Sequence, residues 1–446
     1  MTGAVKQSAK KTGKKRVNSF FAGIGGFELA FEEEGFVPSF YCENNEFCRG
    51  VLARHWPNIE NAEDIGGLSS ESIPEAEVWT AGFPCQDLSM ARTPHGKRSG
   101  LKGSQSGLFY TFLEHLSVHK PTVVLLENVA GLLSSHKGAD FTALIQSLTE
   151  LGYAVSWRLL NARYFGTPQS RPRIFICAWY GSIDNAVYSL YENDISTKPK
   201  NEREGFLIES KCKDSSISVP QISFCISATS GRHTGLDWAR TYVTYPDKIR
   251  RLTPKECEKL QGLPPDWTVP SDDYVVPIRG IETNRYHAIG NAVCVPVVRW
   301  IAKRIKALLD KKSLDINVSS SMENIAKQVM SPKAKTLDLH DGLLERKWQS
   351  GGVAYENIYI TSAVSPSPIK PVSSKLIDLI EKENVPSRYF ISENAMQGIL
   401  RRVDKLGRNL FPPLDNTLRK ITITEPVGDE DVPLTTENEL KLDKIG

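Results

Sequence analysis

The chain predicts an α/β fold. Between residues 16 and 179, six short apolar runs alternate with stretches whose apolar residues recur every three to four positions. A glycine-rich turn follows the first run, and reactive side chains stand where later runs end. Strands alternating with helices bury a largely parallel sheet between helical layers, and such a sheet carries its chemistry at the carboxyl ends of its strands.

The apolar runs lie at 17–21, 37–42, 78–81, 123–126, 154–160 and 174–178, with helical spacing at 27–34, 46–55, 108–119 and 141–151. The rhythm breaks at 180. From there to 250 the chain is rich in Ser, Asn, Asp, Thr and Gly, and over 178–250 nine Lys or Arg balance nine Asp or Glu. Any contact with a polyanion there must come from placed groups, not from bulk field. Thr253-Pro254 through Gly262 predict a Thr-capped helix with Pro at its first position and Gly at its end. A further helix is predicted at 295–309. The expected division is a basic tail at 1–15, a core domain at 16–179, an irregular segment at 180–250, a return to the core domain at 251–309, a linker at 310–337 and an extension at 338–446. The extension holds a Pro-rich stretch at 364–372 and a helical pair at 374–384 and 392–406. Arg401, Arg402, Lys405 and Arg408 near its second helix read first as a solvated face and second as a nucleic-acid contact; no function is assigned to the extension.

With 446 residues, 40% of them hydrophobic, the chain can bury a large core in two or three domains. No stretch approaches the ~18 consecutive apolar residues that span a bilayer, and no apolar leader follows the basic start. The formal charge of +3 is carried by that start: residues 1–16 hold five lysines and one arginine without an acid, so the remainder is slightly acidic. The eight cysteines are scattered without a C-x-x-C pair. Neither a zinc site nor a disulfide framework is expected, and the thiols fit a reducing cytoplasm.

Six motifs carry the functional reading. Phe21-Ala22-Gly23-Ile24-Gly25-Gly26 lets backbone approach a ligand at the start of a helix, and Glu43 ends the second run, where a carboxylate can accept from ribose hydroxyls. Phe83-Pro84-Cys85-Gln86 follows the third run. A cysteine alone is most often core packing, but as thiolate it is a nucleophile. Glu127-Asn128-Val129 ends the fourth run, and a carboxyl desolvated there can hold a proton near neutral pH. Gln169-Ser170-Arg171-Pro172-Arg173, the block Arg251 to Cys257 and Gly290-Asn291-Ala292-Val293 complete the set.

In that order the motifs resemble the DNA cytosine-5 methyltransferases of bacterial or phage restriction-modification type, over about residues 16–309. The resemblance implies a Rossmann-like S-adenosylmethionine-dependent methyltransferase fold with one reversed strand near the end of the sheet, a small target recognition domain at 180–250 and a C-terminal extension. It implies S-adenosylmethionine as cofactor, held by Phe21, Ala22, Gly23, Ile24, Gly25, Gly26, Glu43, Asn44, Asp64, Ile65, Phe83, Pro84, Leu108, Asn291, Ala292 and Val293. Catalysis would fall to Cys85, attacking C6 of a flipped cytosine, with Glu127 at N3 and the exocyclic amine, Arg173 at O2 and Arg171 as buttress. The stretch 87–107 resembles the loop that closes over the flipped base. Gln86, Ser89, Arg98, Arg232 and His233 are the expected contacts to double-stranded DNA, with Thr229, Ser230 and Arg240 as further candidates for base-edge reading. No metal is implied. Two positions depart from the family pattern: Ser19 stands where an Asp is usual, and Asn44 where a large apolar residue is usual. A monomer working beside a cognate restriction endonuclease is the expected setting. Two other readings remain, a tRNA cytosine-5 methyltransferase and a non-catalytic DNA-binding relative. The recognition segment ranks the first below DNA, and intact Cys85, Glu127 and Arg173 argue against the second.

Overall fold

A computed structural model describes residues 13–83, 107–192, 204–212, 216–231, 237–271, 280–310, 335–338 and 348–423. Seven strands come from the first part of the chain: β1 (Arg16–Phe20), β2 (Val37–Cys42), β3 (Glu60–Ala62), β4 (Val78–Ala81), β5 (Val123–Val129), β6 (Tyr153–Asn161) and β7 (Pro172–Tyr180). Short strands β8 (Glu209–Lys211), β9 (Ser218–Pro220), β10 (Tyr242–Thr244) and β11 (Ile249–Arg251) form a separate antiparallel sheet. Three more, β12 (Lys335–Asp338), β13 (Gly351–Tyr355) and β14 (Ile358–Ser362), follow. The main sheet runs β12-β14-β13-β6-β7-β5-β4-β1-β2-β3.

Strands β5, β4, β1, β2 and β3 are parallel, and β7 is antiparallel to both β5 and β6. This is the reversed strand that the resemblance implies. Every residue of β4 is buried, as expected of a strand flanked on both sides and covered on both faces, which is why it reads as a continuous apolar run. Helices α1 (Gly26–Glu33), α2 (Glu46–His55), α3 (Leu108–His119), α4 (Ala139–Glu150) and α5 (Ile183–Leu190) cover the sheet. Phe27 and Phe31 of α1, Val51 and Leu52 of α2 and Val187 of α5 pack on one face, and Phe112, Leu116, Phe141 and Leu144 of α3 and α4 on the other. The Asn45 side chain caps α2 by accepting from the Cys48 N–H at 3.0 Å, and Arg54 and His55 lie in its last turn, where the helix dipole favours positive charge. After the short α6 (Glu204–Leu207), the expected Thr-capped helix is α7 (Pro254–Leu260), closed by a capping box between Thr253 and Glu256. Next come α8 (Ile281–Asn291) and α9 (Val295–Leu309), which packs against α1 and α5.

Several expectations are corrected. The fold does not break at 180, where the core domain was expected to end, because α5 packs on β6 and β7 as part of the helical layer. Residues 335–338, expected in a linker, are a strand of the main sheet. The extension is not a separate appendage: β13 pairs antiparallel with β6, and β14 and β12 continue outward. An added Cβ at Gly352 would lie 2.0 Å from the Trp157 ring, so only glycine allows this approach. The helix expected at 374–384 is a 3-10 turn at Leu376–Asp378, because the Leu376 N–H is taken by the Gln221 carbonyl at 3.0 Å and ties the segment across the molecule. The second expected helix is present as α10 (Glu393–Lys405), and an unforeseen α11 (Pro412–Ile423) follows it. Arg402 does not belong to a solvated face: it pairs with the buried Asp237 at 2.8 Å.

Candidate active site

The register of the sheet brings the motifs together. Ser19 lies beside Thr80 and Phe20 beside Ala81, while Ala81 lies beside Leu126. The chain leaving β4 at Gly82-Phe83 therefore emerges between the glycine turn after β1 and the end of β5. Connections from β1 and β4 run in opposite directions here, so the crevice is a topological switch point.

On one side stands Glu127. It is 7% exposed and forms an ion pair with Arg173, Nε to Oε1 at 3.0 Å. The two sit on neighbouring antiparallel strands, where Glu127 faces Phe175 and Val129 faces Arg173. Burial pushes the Glu127 carboxyl above its ordinary range, while Arg173 and Arg171 pull it back. Next to it, Asn128 donates from Nδ2 to the Phe83 carbonyl at 2.9 Å and holds the backbone that leads into Pro84-Cys85.

Arg171 does something different from Arg173. It is 2% exposed, and its guanidinium donates to the carbonyls of Ile226 (2.8 Å), Gly290 (2.9 Å) and Ala292 (2.7 Å). Gln169 accepts from the Ile226 N–H and donates to the Leu260 carbonyl, both at 2.9 Å. Gln261 in turn donates to the carbonyls of Ile289 (2.8 Å) and Ala292 (3.1 Å). Both terminal nitrogens of Arg171 are thus spent on backbone carbonyls, with Nη1 also meeting the Cys225 sulfur, while its Nε has no partner among the described residues. Gln169 and Gln261 are part of the same tie, and the sequence reading gave neither a role. Their signal was position: one opens the Gln-x-Arg-x-Arg motif and the other ends the helix begun at Thr253.

On the other side of β4 lies the glycine turn. Phe21, Gly23 and Gly25 have positive φ (54°, 58° and 83°), a conformation costly for Phe21 and natural for glycine. An added Cβ at Gly25 would lie 2.3 Å from Trp56 and one at Gly26 2.7 Å from Val293, whereas nothing lies within 4 Å of one at Gly23. Glu43 is 8% exposed and accepts from the Gly23 N–H (2.7 Å, Oε2) and the Asn45 N–H (2.8 Å, Oε1). The carboxylate that ends β2 therefore shapes the turn after β1. From outside, Trp267 Nε1–H donates to the Ile24 carbonyl at 2.7 Å. Ala22 and Ile24 are buried within the turn. Asp64 caps a short turn by accepting from the Gly66 N–H at 2.9 Å, and Ile65 is buried beside it. Phe83 packs against Phe109, with Leu108 half-buried at the start of the same helix. Asn44 and Asn291 are exposed, and Ala292 and Val293 are buried.

Pro84, Cys85, Gln86, Ser89, Arg98, Arg232 and His233, with the stretch 87–106, lie outside the described residues. A cavity of about 340 Å³ adjoins, through Cys225, the wall that Arg171 and Arg173 form, and is lined among others by Ser170, Phe224, Cys225, Thr229, Ser230 and Arg240. Cys225 links it to the wall, with its Sγ 3.4 Å from Arg171 Nη1. Among the described residues no group of three or more His, Cys, Asp or Glu could hold a metal ion, and no helix is long and apolar enough to cross a membrane.

Fold and candidate site define an α/β protein whose strand ends carry a glycine turn on one side of β4 and a buried acid–guanidinium pair on the other. The chain belongs to the C-5 cytosine-specific DNA methylase family, whose profile matches residues 15–218 and 189–307, and is a DNA cytosine methyltransferase. It is similar to the type II methyltransferase M2.BsuMI of Bacillus subtilis strain 168, 28% identical over 393 residues that span 81% of this chain and 91% of the relative. It is also similar to the type II methyltransferase M.Bsp6I of Bacillus sp. strain RFL6, 29% identical over 65% of this chain and 98% of that protein. Among solved structures, S. pombe Dnmt2 methyltransferase aligns with a TM-score of 0.48 and 19% identity, covering 67% of this chain and all of the other.

Proposed function

We propose that the enzyme methylates C5 of a cytosine flipped out of a short site in double-stranded DNA, with S-adenosylmethionine as donor and Cys85 as nucleophile. The observation that carries this reading is the buried Glu127–Arg173 pair beside the exit of β4, with Asn128 gripping the Phe83 carbonyl just ahead of Cys85. The residues around the glycine turn fit the donor. Among the described residues nothing fills the space where a side chain at Gly23 would stand and the buried carboxyl of Glu28 has no hydrogen-bond partner, while Glu43 presents a carboxylate at the end of β2. A ligand with a ribose diol and positive charge suits such a set. When bound, S-adenosylmethionine supplies an electrophilic methyl group.

The rest of the chemistry belongs to the chain. A cytosine inside a duplex is out of reach, so the base must leave the stack. The Cys85 thiolate adds to C6, which raises electron density at C5. Glu127, its pKa raised by burial, keeps a proton available to N3 and accepts from the exocyclic amine. Arg173 donates at O2, and its charge limits how far the Glu127 pKa can rise. Once C5 is substituted, its proton leaves to a base and the bond from Cys85 to C6 breaks. Phe21, Ala22, Ile24, Asn44, Asp64, Ile65, Phe83, Pro84, Leu108, Asn291, Ala292 and Val293 are proposed as the remaining walls of the donor site. Gln86, Ser89, Arg98, Arg232 and His233 are proposed as DNA contacts, with Thr229, Ser230 and Arg240 on the cavity facing the arginine wall.

The type II names of the relatives support proposing a protective role beside a cognate endonuclease; a monomer in the cytoplasm is proposed with it. Expression in a host without cytosine methylation, followed by bisulfite sequencing beside a Cys85→Ala control, tests the activity. Protection of cytosines in one short sequence, absent from the control, is the expected result. Equal conversion in both samples would refute the proposal.

A further inference from the structure

Glu28 is an acid that the proposed chemistry leaves unused. It lies in the first turn of α1, directly after the glycine turn, and is 0% exposed. Neither carboxyl oxygen has a hydrogen-bond partner among the described residues. The Ser19 hydroxyl, which accepts from Thr80 Oγ1 at 2.8 Å, stands beside it without a well-directed hydrogen bond. Among the described residues the charged group acting on it is Glu43, from the end of β2, which repels it. No described Lys or Arg forms an ion pair with it, although buried acids are ordinarily paired. Two acids on successive elements thus converge on one turn: Glu43 accepts two full backbone hydrogen bonds, whereas Glu28 has only its own backbone N–H and the Ser19 hydroxyl nearby, neither of them in hydrogen-bond geometry.

We infer that Glu28 is the acidic ligand of the donor's α-ammonium group. The inference rests on the proposed use of S-adenosylmethionine and assigns one end of that molecule. Glu43, bonded to the Gly23 amide, suits the ribose end; Glu28, under the start of α1, suits a cation at the amino-acid end. Ser19 contributes no charge at the strand end where this family usually has an acid, and Glu28 supplies one from the helix across from it. Burial raises the free carboxyl to a pKa of about 7, so near neutral pH part of the population is protonated. When an ammonium group engages the carboxylate, that proton passes to solvent and the pair carries no net charge.

The test is calorimetric binding to the full chain of S-adenosylmethionine, S-adenosylhomocysteine and 5′-methylthioadenosine, the last lacking the amino-acid end. Glu28→Gln should weaken the first two by roughly 10- to 100-fold and 5′-methylthioadenosine by no more than about twofold, as loss of one charge-assisted contact requires. Titration in buffers of different ionisation enthalpy should show proton release by the wild type that the variant lacks. The Ser19→Asp, Glu28→Gln double variant should regain discrimination for the ammonium ligands, which separates loss of the contact from damage to the fold. An equal loss for all three ligands, no loss, or unchanged proton release would overturn the assignment. Failure of the wild type to bind S-adenosylhomocysteine would overturn the donor reading itself.

Discussion

Replacing Glu28 by Gln should stabilise the ligand-free protein at alkaline pH while weakening its hold on the donor. The carboxyl titrates at 4.5 without the fold and at about 7 within it. At ~1.4 kcal/mol per unit, that displacement is worth roughly 3 kcal/mol. The sign follows from proton binding: the folded state holds the proton more tightly, so the contribution is fully present below the unfolded value and is lost as pH rises through the folded one. Above that pH the fold must keep an ionised carboxylate beside Glu43 and away from water. Glutamine has the same shape and does not titrate. Urea unfolding followed by tryptophan fluorescence, without ligand, should find the two proteins alike near about pH 4.5 and the variant ahead by roughly 3 kcal/mol above about pH 8. Other titrating groups are common to both proteins and cancel in the difference. A gap that does not change with pH, or a wild type that is the more stable at alkaline pH, would refute the reasoning.

Three other expectations follow from the same geometry. Arg171→Met takes the guanidinium donors from the Ile226 and Gly290 carbonyls, while Ala292 keeps its bond from Gln261; stability measured in urea should fall by roughly 2–6 kcal/mol. Glu127→Gln should lower kcat by about 10²-fold or more with little change in donor affinity, measured by methyl transfer to DNA and by calorimetry, since its effect is on proton transfer. Ending the chain at 310 removes β12–β14, leaves β6 as an open edge and empties the Trp348 site against Trp157 and Phe141. Loss of that ring alone costs about 3–5 kcal/mol, so the shortened protein should be recovered as aggregate; a soluble, active product would contradict the role given to these strands.

β4 and β5 were legible because they are buried on both faces and read as nearly continuous apolar runs, whereas β1 is as buried but carries Asn18 and Ser19 between its apolar residues; all three lie within a few residues of the expected runs. The glycine turn was legible because positive φ at Gly23 and Gly25 has a compositional signature. What Glu43 does was not: its bond to Gly23 joins residues twenty positions apart, and no local pattern records it. Arg171 and Arg173 look equivalent in sequence. They part because Arg171 precedes the first residue of β7 and turns inward, whereas Arg173 is within the strand opposite Val129. The hairpin β13–β14 was missed because its tight turn uses Glu356-Asn357, with Glu356 at φ 54°, instead of the Asn-Gly or Asp-Gly pair that announces such turns.

The extension also explains how so slight a second sheet can hold its shape. Strands β8 to β11 have three residues each, too short to be stable as an independent sheet. Their support comes from the other end of the chain. Ile249 and Tyr242 share one apolar cluster with Ile399, Val403, Phe411 and Leu418 of the C-terminal helices and the turn between them. Beneath it, Arg250 and Glu256, both fully buried, form a two-pronged pair at 2.8 and 2.9 Å, and Glu256 also accepts from the Glu381 N–H at 2.7 Å. A buried pair of this kind gives little net stability, but it permits only one arrangement of β11, α7 and the 381 segment. The same extension enters the main sheet through β13. The part of the chain beyond the methylase match at residue 307 is therefore anchored in the main sheet at one end and packed on the second sheet at the other. It ties the second sheet to the main sheet that carries Glu127 and Arg173.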